Sequence, residues 1–163
     1  MDGRLEYREG LFVGYRGYDR DGRRPRYPFG HGLGYTDWTY QSVSAPVTIP
    51  AGADLTALVS VRNTGRRPGR EVVQVYLSKQ DSAVERPVRW LAGFTAVHAE
   101  PGQTVHAEVT LPARAFQHWE PAVGWTTEPG PYRLHAGRSA ASLPISIPVT
   151  VTPAVPVRGA AAS

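Results

Sequence analysis

At 163 residues the chain is long enough for one well-cored domain, and 41% hydrophobic with 20% charged residues sets it apart from disordered proteins. Cysteine is absent, which excludes disulfides and thiolate metal sites, and no run of about 18 apolar residues offers a membrane helix. The formal charge of +4 comes from arginines spread along the chain, with Lys79 the sole lysine; a nucleic-acid binder would cluster them, so the basic runs 20–26 and 62–70 read as solvated loops.

Residues 7–40 combine glycines, aromatics and arginines too densely for an ordinary surface loop. The glycines free the backbone for turns, while Phe12, Tyr15, Tyr18, Tyr27, Phe29 and Tyr35 supply large apolar bodies with mostly polar tips. Such a stretch reads as an extended connector that lies on a surface. Asp21-Gly22 favours a tight turn, and the prolines at 25 and 28 keep the following path extended rather than helical. The run Gly30-His31-Gly32-Leu33-Gly34 has the composition of a phosphate-cradling loop, but that chemistry needs a strand before and a helix after. Residues 36–40 read as a strand instead, so no phosphate site is expected.

From there on, strands alternate with turn residues. Trp38, Tyr40 and Val43 form one inward face, and Leu55, Ala57, Val59 and Val61 form the next, ending at Asn63-Thr64-Gly65. In residues 71–78 Val73, Val75 and Leu77 share one face. Val72 and Tyr76 on the other face predict a strand covered on both sides. Val105, Ala107, Val109 and Leu111 alternate with polar residues after the Pro101-Gly102 turn, and Tyr132, Leu134 and Ala136 follow Pro129-Gly130. In the last strand Leu143, Ile145, Ile147, Val149 and Val151 alternate with partners that include Pro144 and Pro148; proline cannot donate to a ladder, which predicts an edge strand. Residues 153–163 are too poor in apolar bulk to pack and read as a loose tail. The class is all-β: an antiparallel sandwich of immunoglobulin or fibronectin type III-like design behind an N-terminal extended linker, with boundaries at 1–34, 35–152 and 153–163.

Three ordered motifs carry a family resemblance. Glu9-Gly10-Leu11-Phe12-Val13-Gly14-Tyr15-Arg16 with Tyr18-Asp19, then Pro28-Phe29-Gly30-His31-Gly32-Leu33-Gly34-Tyr35, then Arg86-Pro87 before Gly93-Phe94, resemble the join to, and the body of, the C-terminal fibronectin type III-like domain of family-three glycoside hydrolases, the β-glucosidase and β-xylosidase group. The resemblance implies a non-catalytic domain that buttresses a retaining hydrolase acting at non-reducing ends, with residues 1–34 as the linker and the tail end of an α/β catalytic domain. It implies that Met1 marks a cut rather than a natural start, so the missing secretion signal leaves the compartment open. The expected partners are the catalytic domains of the parent, with self-association through an exposed linker; Phe12, Tyr15, Arg16, Tyr18, Tyr27 and Phe29 are the expected docking residues. The rival reading is a free-standing carbohydrate- or protein-binding sandwich.

No catalytic set emerges from the sequence. A retaining glycosidase needs two carboxyl groups about 5 to 5.5 Å apart. Thr36-Asp37-Trp38 imitates the family's nucleophile context, yet Asp37 opens an alternating strand whose Trp38 and Tyr40 point inward, so it is expected to face solvent. His31, His98, His106, His118 and His135 fall in no metal-ligand spacing, and Ser42, Ser60 and Ser78 lack a nucleophile elbow. No cofactor is expected. Trp90, Trp119 and Trp125 are expected in the core or at a domain contact rather than as a sugar platform.

Overall fold

The computed structural model describes residues 8–154. A short helix α1 (Tyr15–Arg20) precedes β1 (Trp38–Ser44), β2 (Thr48–Pro50), β3 (Leu55–Asn63), β4 (Gly69–Ser78), β5 (Trp90–Ala99) and β6 (Thr104–Leu111). A 3-10 turn (Ala113–Phe116) leads into β7 (Gln117–Glu120), β8 (Gly124–Thr127), β9 (Gly130–Gly137) and β10 (Ile145–Thr152). The strands form a three-stranded sheet β1-β3-β6, a five-stranded sheet β2-β10-β9-β4-β5, and a separate β7-β8 hairpin.

The two larger sheets bury one face each against the other. Alternation at period two sends Leu55, Ala57, Val59 and Val61 of β3 and Ala107, Val109 and Leu111 of β6 inward from one side. Val73, Val75 and Leu77 of β4, Tyr132, Leu134 and Ala136 of β9 and Val149 and Val151 of β10 meet them from the other. In β1 the inward residues Trp38, Tyr40 and Val43 break strict alternation because the register shifts between Tyr40 and Ser42, a bulge that turns Val43 back to the core. At the end of β3, fully buried Asn63 ties several backbones together. Its Nδ2 donates to the carbonyls of Arg67 (2.8 Å) and Ala99 (3.0 Å), and its Oδ1 accepts from the Thr36 hydroxyl (2.6 Å) and the Gly65 N–H (3.0 Å).

The structure departs from the sequence reading at four places. The connector is not wholly extended: Gly14, at φ 61°, turns the chain so that its carbonyl accepts from Gly17 and Tyr18 and starts α1. The last strand is not the sheet's edge along its whole length. Its end pairs in parallel with β2, Thr150 opposite Thr48 and Val151 opposite Ile49, so β2 takes the edge there. Pro144 and Pro148 precede this pairing, where a missing donor costs no ladder bond to a second neighbour. Trp119 and Trp125 stand on β7 and β8 outside the core, because that hairpin joins neither main sheet, whereas Trp90 is buried. Val72 is partly exposed, so the outer cover of β4 lies over Gln74 and Tyr76 and not along the whole strand. Of the expected tail, only Pro153 and Ala154 belong to the described residues; Met1, residues 2–7 and residues 155–163 lie outside them.

Candidate functional site, the docked connector and an aromatic cleft

The connector lies on the outer face of the five-stranded sheet. Helical spacing sets Tyr15 and Asp19 four residues apart on one side of α1, and both reach the start of β5. The Tyr15 hydroxyl accepts from the Leu91 N–H at 2.9 Å. Asp19 receives a fork from Arg89, Nε to Oδ2 at 2.7 Å and Nη2 to Oδ1 at 2.6 Å, the geometry of a strong bidentate pair. The carboxylate pushes Arg89 above its already high value, against the opposing effect of burial.

Downstream, the Phe29 ring stacks on Tyr15 at 4.8 Å, and Tyr15 meets the buried Tyr76 edge-on at 6.1 Å. The Phe29 carbonyl accepts from the Ala140 N–H at 2.9 Å. Gln74 donates to the carbonyls of Gly30 (3.3 Å) and Arg138 (2.6 Å) while its Oε1 accepts from the Tyr76 hydroxyl (2.7 Å). Gly30 sits at φ 79°, and a β-carbon there would run into the Gln74 amide. The outward residues Gln74 and Tyr76 are therefore buried by the connector, with their polar atoms satisfied.

Of the six expected docking residues, Tyr15 and Phe29 are brought together on this sheet. The other four point elsewhere. Half-buried Phe12 carries the Arg20 guanidinium over its ring at 4.4 Å, and Arg16 leans on Tyr15 at 5.9 Å. Tyr18 is exposed beneath Arg23, and Tyr27, 69% exposed, stands beside His31. These four remain open to solvent in whole or in part.

Arg16 and Leu11 also form one wall of a cleft of about 700 Å³. Trp90, Leu91 and Ala115 line it from the sandwich, the 84–87 loop bounds a second side, and β7-β8 with Arg114 bounds a third. Trp119 and Trp125, opposite one another in the hairpin register, are 56% and 49% exposed and meet edge to face at 5.3 Å. Arg114 lies over the Trp125 ring.

The loop wall is held by Glu128. Its carboxylate accepts from the Ala83 N–H and the Ser82 hydroxyl, both at 2.7 Å, and from Arg86 Nε at 3.3 Å. Arg86 Nη2 lies 3.1 Å from His118 Nδ1, which links loop to hairpin. Burial alone would raise the Glu128 pKa, but the Ala83 and Ser82 hydrogen bonds and the charges of Lys79 and Arg86 outweigh it, and the net shift is downward. Glu71 goes the other way: burial raises it more than Arg138, 3.0 Å away, lowers it. Burial, then Arg133 and Arg89, lowers His135, whose Nε2 lies 2.9 Å from the Ser78 hydroxyl.

Asp37 is exposed at the foot of β1, outside the aromatic cleft, and its backbone carbonyl accepts the Thr64 N–H. Among the described residues, no group of three His, Asp or Glu side chains is placed to hold a metal ion.

The sequence profile of the fibronectin type III-like domain family matches residues 71–140. Over 159 residues the chain is 38% identical to the thermostable β-glucosidase B of Acetivibrio thermocellus, covering 96% of this chain and 21% of that protein. Residues 71–140 are fibronectin type III-like, and the chain as a whole is similar to a segment of family-three β-glucosidases. A probable β-glucosidase I of Aspergillus fumigatus is 37% identical over 139 residues, 81% of this chain and 17% of that protein. Among solved structures, the Streptomyces venezuelae β-glucosidase DesR in complex with D-glucose superposes with a TM-score of 0.86 at 36% identity, covering 93% of this chain and 20% of that one. The family-three β-glucosidase of Bifidobacterium adolescentis gives 0.85 at 33% identity, with 93% and 22% covered. The fibronectin type III-like chain thus spans about a fifth of the length of the curated relatives it matches.

Sequence reasoning missed Asp19, Arg89, Gln74 and Leu91 as the groups that hold the connector down. One signal was available: Tyr15 and Asp19 are spaced one helical turn apart after a glycine.

Proposed function

We propose that the fibronectin type III-like chain is the accessory domain of a family-three glycoside hydrolase, buttressing the parent's catalytic domains while they carry out the hydrolysis. The observation that carries this reading is the reach of the relationship: it takes in the connector as well as the sandwich, at 96% of this chain, within β-glucosidases of about five times the length. A domain selected with its connector is selected for a fixed place beside something else. In this reading residues 1–34 form the linker and the end of the preceding α/β domain, residues 35–152 the sandwich, and residues 153–163 a tail.

Within the connector, Tyr15 and Phe29 hold it to its own sandwich, which leaves Phe12, Arg16, Tyr18 and Tyr27 to meet the catalytic domains. The same exposed rings, unpartnered, would drive self-association. Two measurements test the reading. The purified chain should show no turnover of aryl β-glucosides or β-xylosides, and the reading frame upstream of Met1 should encode a barrel and an α/β domain without a break. Turnover that survives repurification and vanishes in Asp37→Asn, or an upstream frame encoding nothing of the kind, would overturn it.

A further inference from the structure

The β7-β8 hairpin leaves two indoles half exposed, a costly arrangement for a ribbon of four-residue strands that no larger sheet supports. Trp125 is covered in part by Arg114, so Trp119 is the more open ring. Both give onto the cleft of about 700 Å³, and sites for small molecules fall between roughly 300 and 1,000 Å³ with aromatic linings and a few polar groups.

The polar groups in this cleft offer both acceptors and donors: Arg16 and Arg114 line it beside two glutamates and a glutamine. Glu85, Gln117 and Glu120 line it, and their side chains make no hydrogen bond among the described residues. Arg86 and His118, also in the lining, are already committed to Glu128 and to each other. An apolar partner surface would strip water from the Glu85 and Glu120 carboxylates and leave them without partners, which strongly disfavours it. Charges of both signs line the cleft, Glu85 and Glu120 with Arg16 and Arg114, so neither an anion nor a cation is matched by it as a whole. A pyranose ring satisfies the whole set: its C–H face stacks on an indole while its hydroxyls donate outward to carboxylate and amide oxygens. The walls are held in advance by the Glu128 clamp on residues 82–86, so little ordering accompanies binding.

We propose that this cleft binds a short neutral oligosaccharide, one pyranose ring stacking on Trp119 beside Trp125 and its hydroxyls donating to Glu85, Gln117 and Glu120. The proposal stands whether or not the domain has a hydrolase parent.

The test uses the full 163-residue chain, labelled with ¹⁵N and titrated with cellotriose, xylotriose and maltotriose. At least one probe should give saturable shifts at the Trp119 and Trp125 indole N–H signals, with a Kd of about 1 mM, as suits a shallow, weakly enclosing site. The buried Trp90 signal should move least. Trp119→Ala should weaken binding at least tenfold and Glu120→Gln several-fold, with spectral dispersion confirming the fold; if the alanine variant does not fold, Trp119→Phe should still weaken binding severalfold. No saturable shift with any of the three probes overturns the proposal, as does binding that persists unchanged in Trp119→Phe and Glu120→Gln. So does a preceding domain that, when fused to the chain, shields Trp119 and shuts out every probe, since the cleft would then be a protein interface.

Discussion

Replacing Tyr15 with alanine isolates what holds the connector to the sandwich. The side chain stacks on Phe29, touches Tyr76 edge-on and accepts the Leu91 N–H. A fully buried aromatic cut back to alanine costs about 3 to 5 kcal/mol; Tyr15 is half-buried, so roughly 2 kcal/mol comes from the ring. The orphaned Leu91 N–H adds about 1 kcal/mol, less whatever water returns to it. Tyr15→Ala should thus lower stability by about 2 to 3 kcal/mol in urea titration, and Tyr15→Phe by about 1 kcal/mol. Hydrogen exchange provides the second readout. In the alanine variant the amides of residues 12–30 should exchange faster while those of β3 and β6 change little, because the connector can open without the sandwich. A loss below about 0.5 kcal/mol, with unchanged exchange across residues 12–30, would refute the view that Tyr15 anchors this segment.

Val75 is fully buried between the sheets, so Val75→Ala should cost about 1 to 3 kcal/mol by thermal or urea unfolding; a change below about 0.5 kcal/mol would mean the inward face of β4 is misassigned. The depressed carboxyl of Glu128 makes a contribution to stability that is present above the unfolded value of 4.5 and lost as pH falls through its lower folded value. Glu128→Gln should therefore flatten the fall in stability below about pH 4.5, measured by urea titration across pH 2–7, and an unchanged acid limb would count against the clamp.

The sheets were legible because burial there follows the sequence's own period. Leu55, Ala57, Val59 and Val61 are fixed inward by alternation alone, and the same holds for Tyr132, Leu134 and Ala136. What could not be read were pairings across long separations. Asp19 and Arg89 lie 70 residues apart, and nothing local marks either as the other's partner. Asn63 was legible as the end of a strand but not as the hub of four hydrogen bonds, since its partners at Thr36, Arg67 and Ala99 are set by the folded topology. Trp119 and Trp125 escaped for a different reason: tryptophan is usually sheltered, and only the hairpin's detachment from both sheets leaves these two outside. Of the candidate site, the connector's aromatics were visible in the sequence and the cleft was not.

The parallel pairing of β2 with the end of β10 ties residues 48–50 to residues 150–152. The three-stranded sheet is complete once Leu111 has been made, but the five-stranded sheet gains β9 and β10, its links to β2, only about forty residues later. During synthesis the growing chain thus carries one finished sheet whose apolar face has β4 and β5 against it and little else. Closure must wait until the last strand clears the ribosome, and such late, long-range closure prolongs the exposure of unpaired strand. A truncation that removes Thr150 and Val151 would leave Ile49 without its neighbour and detach β2 from the five-stranded sheet, while the pairing of β9 with residues 145–149 stays available.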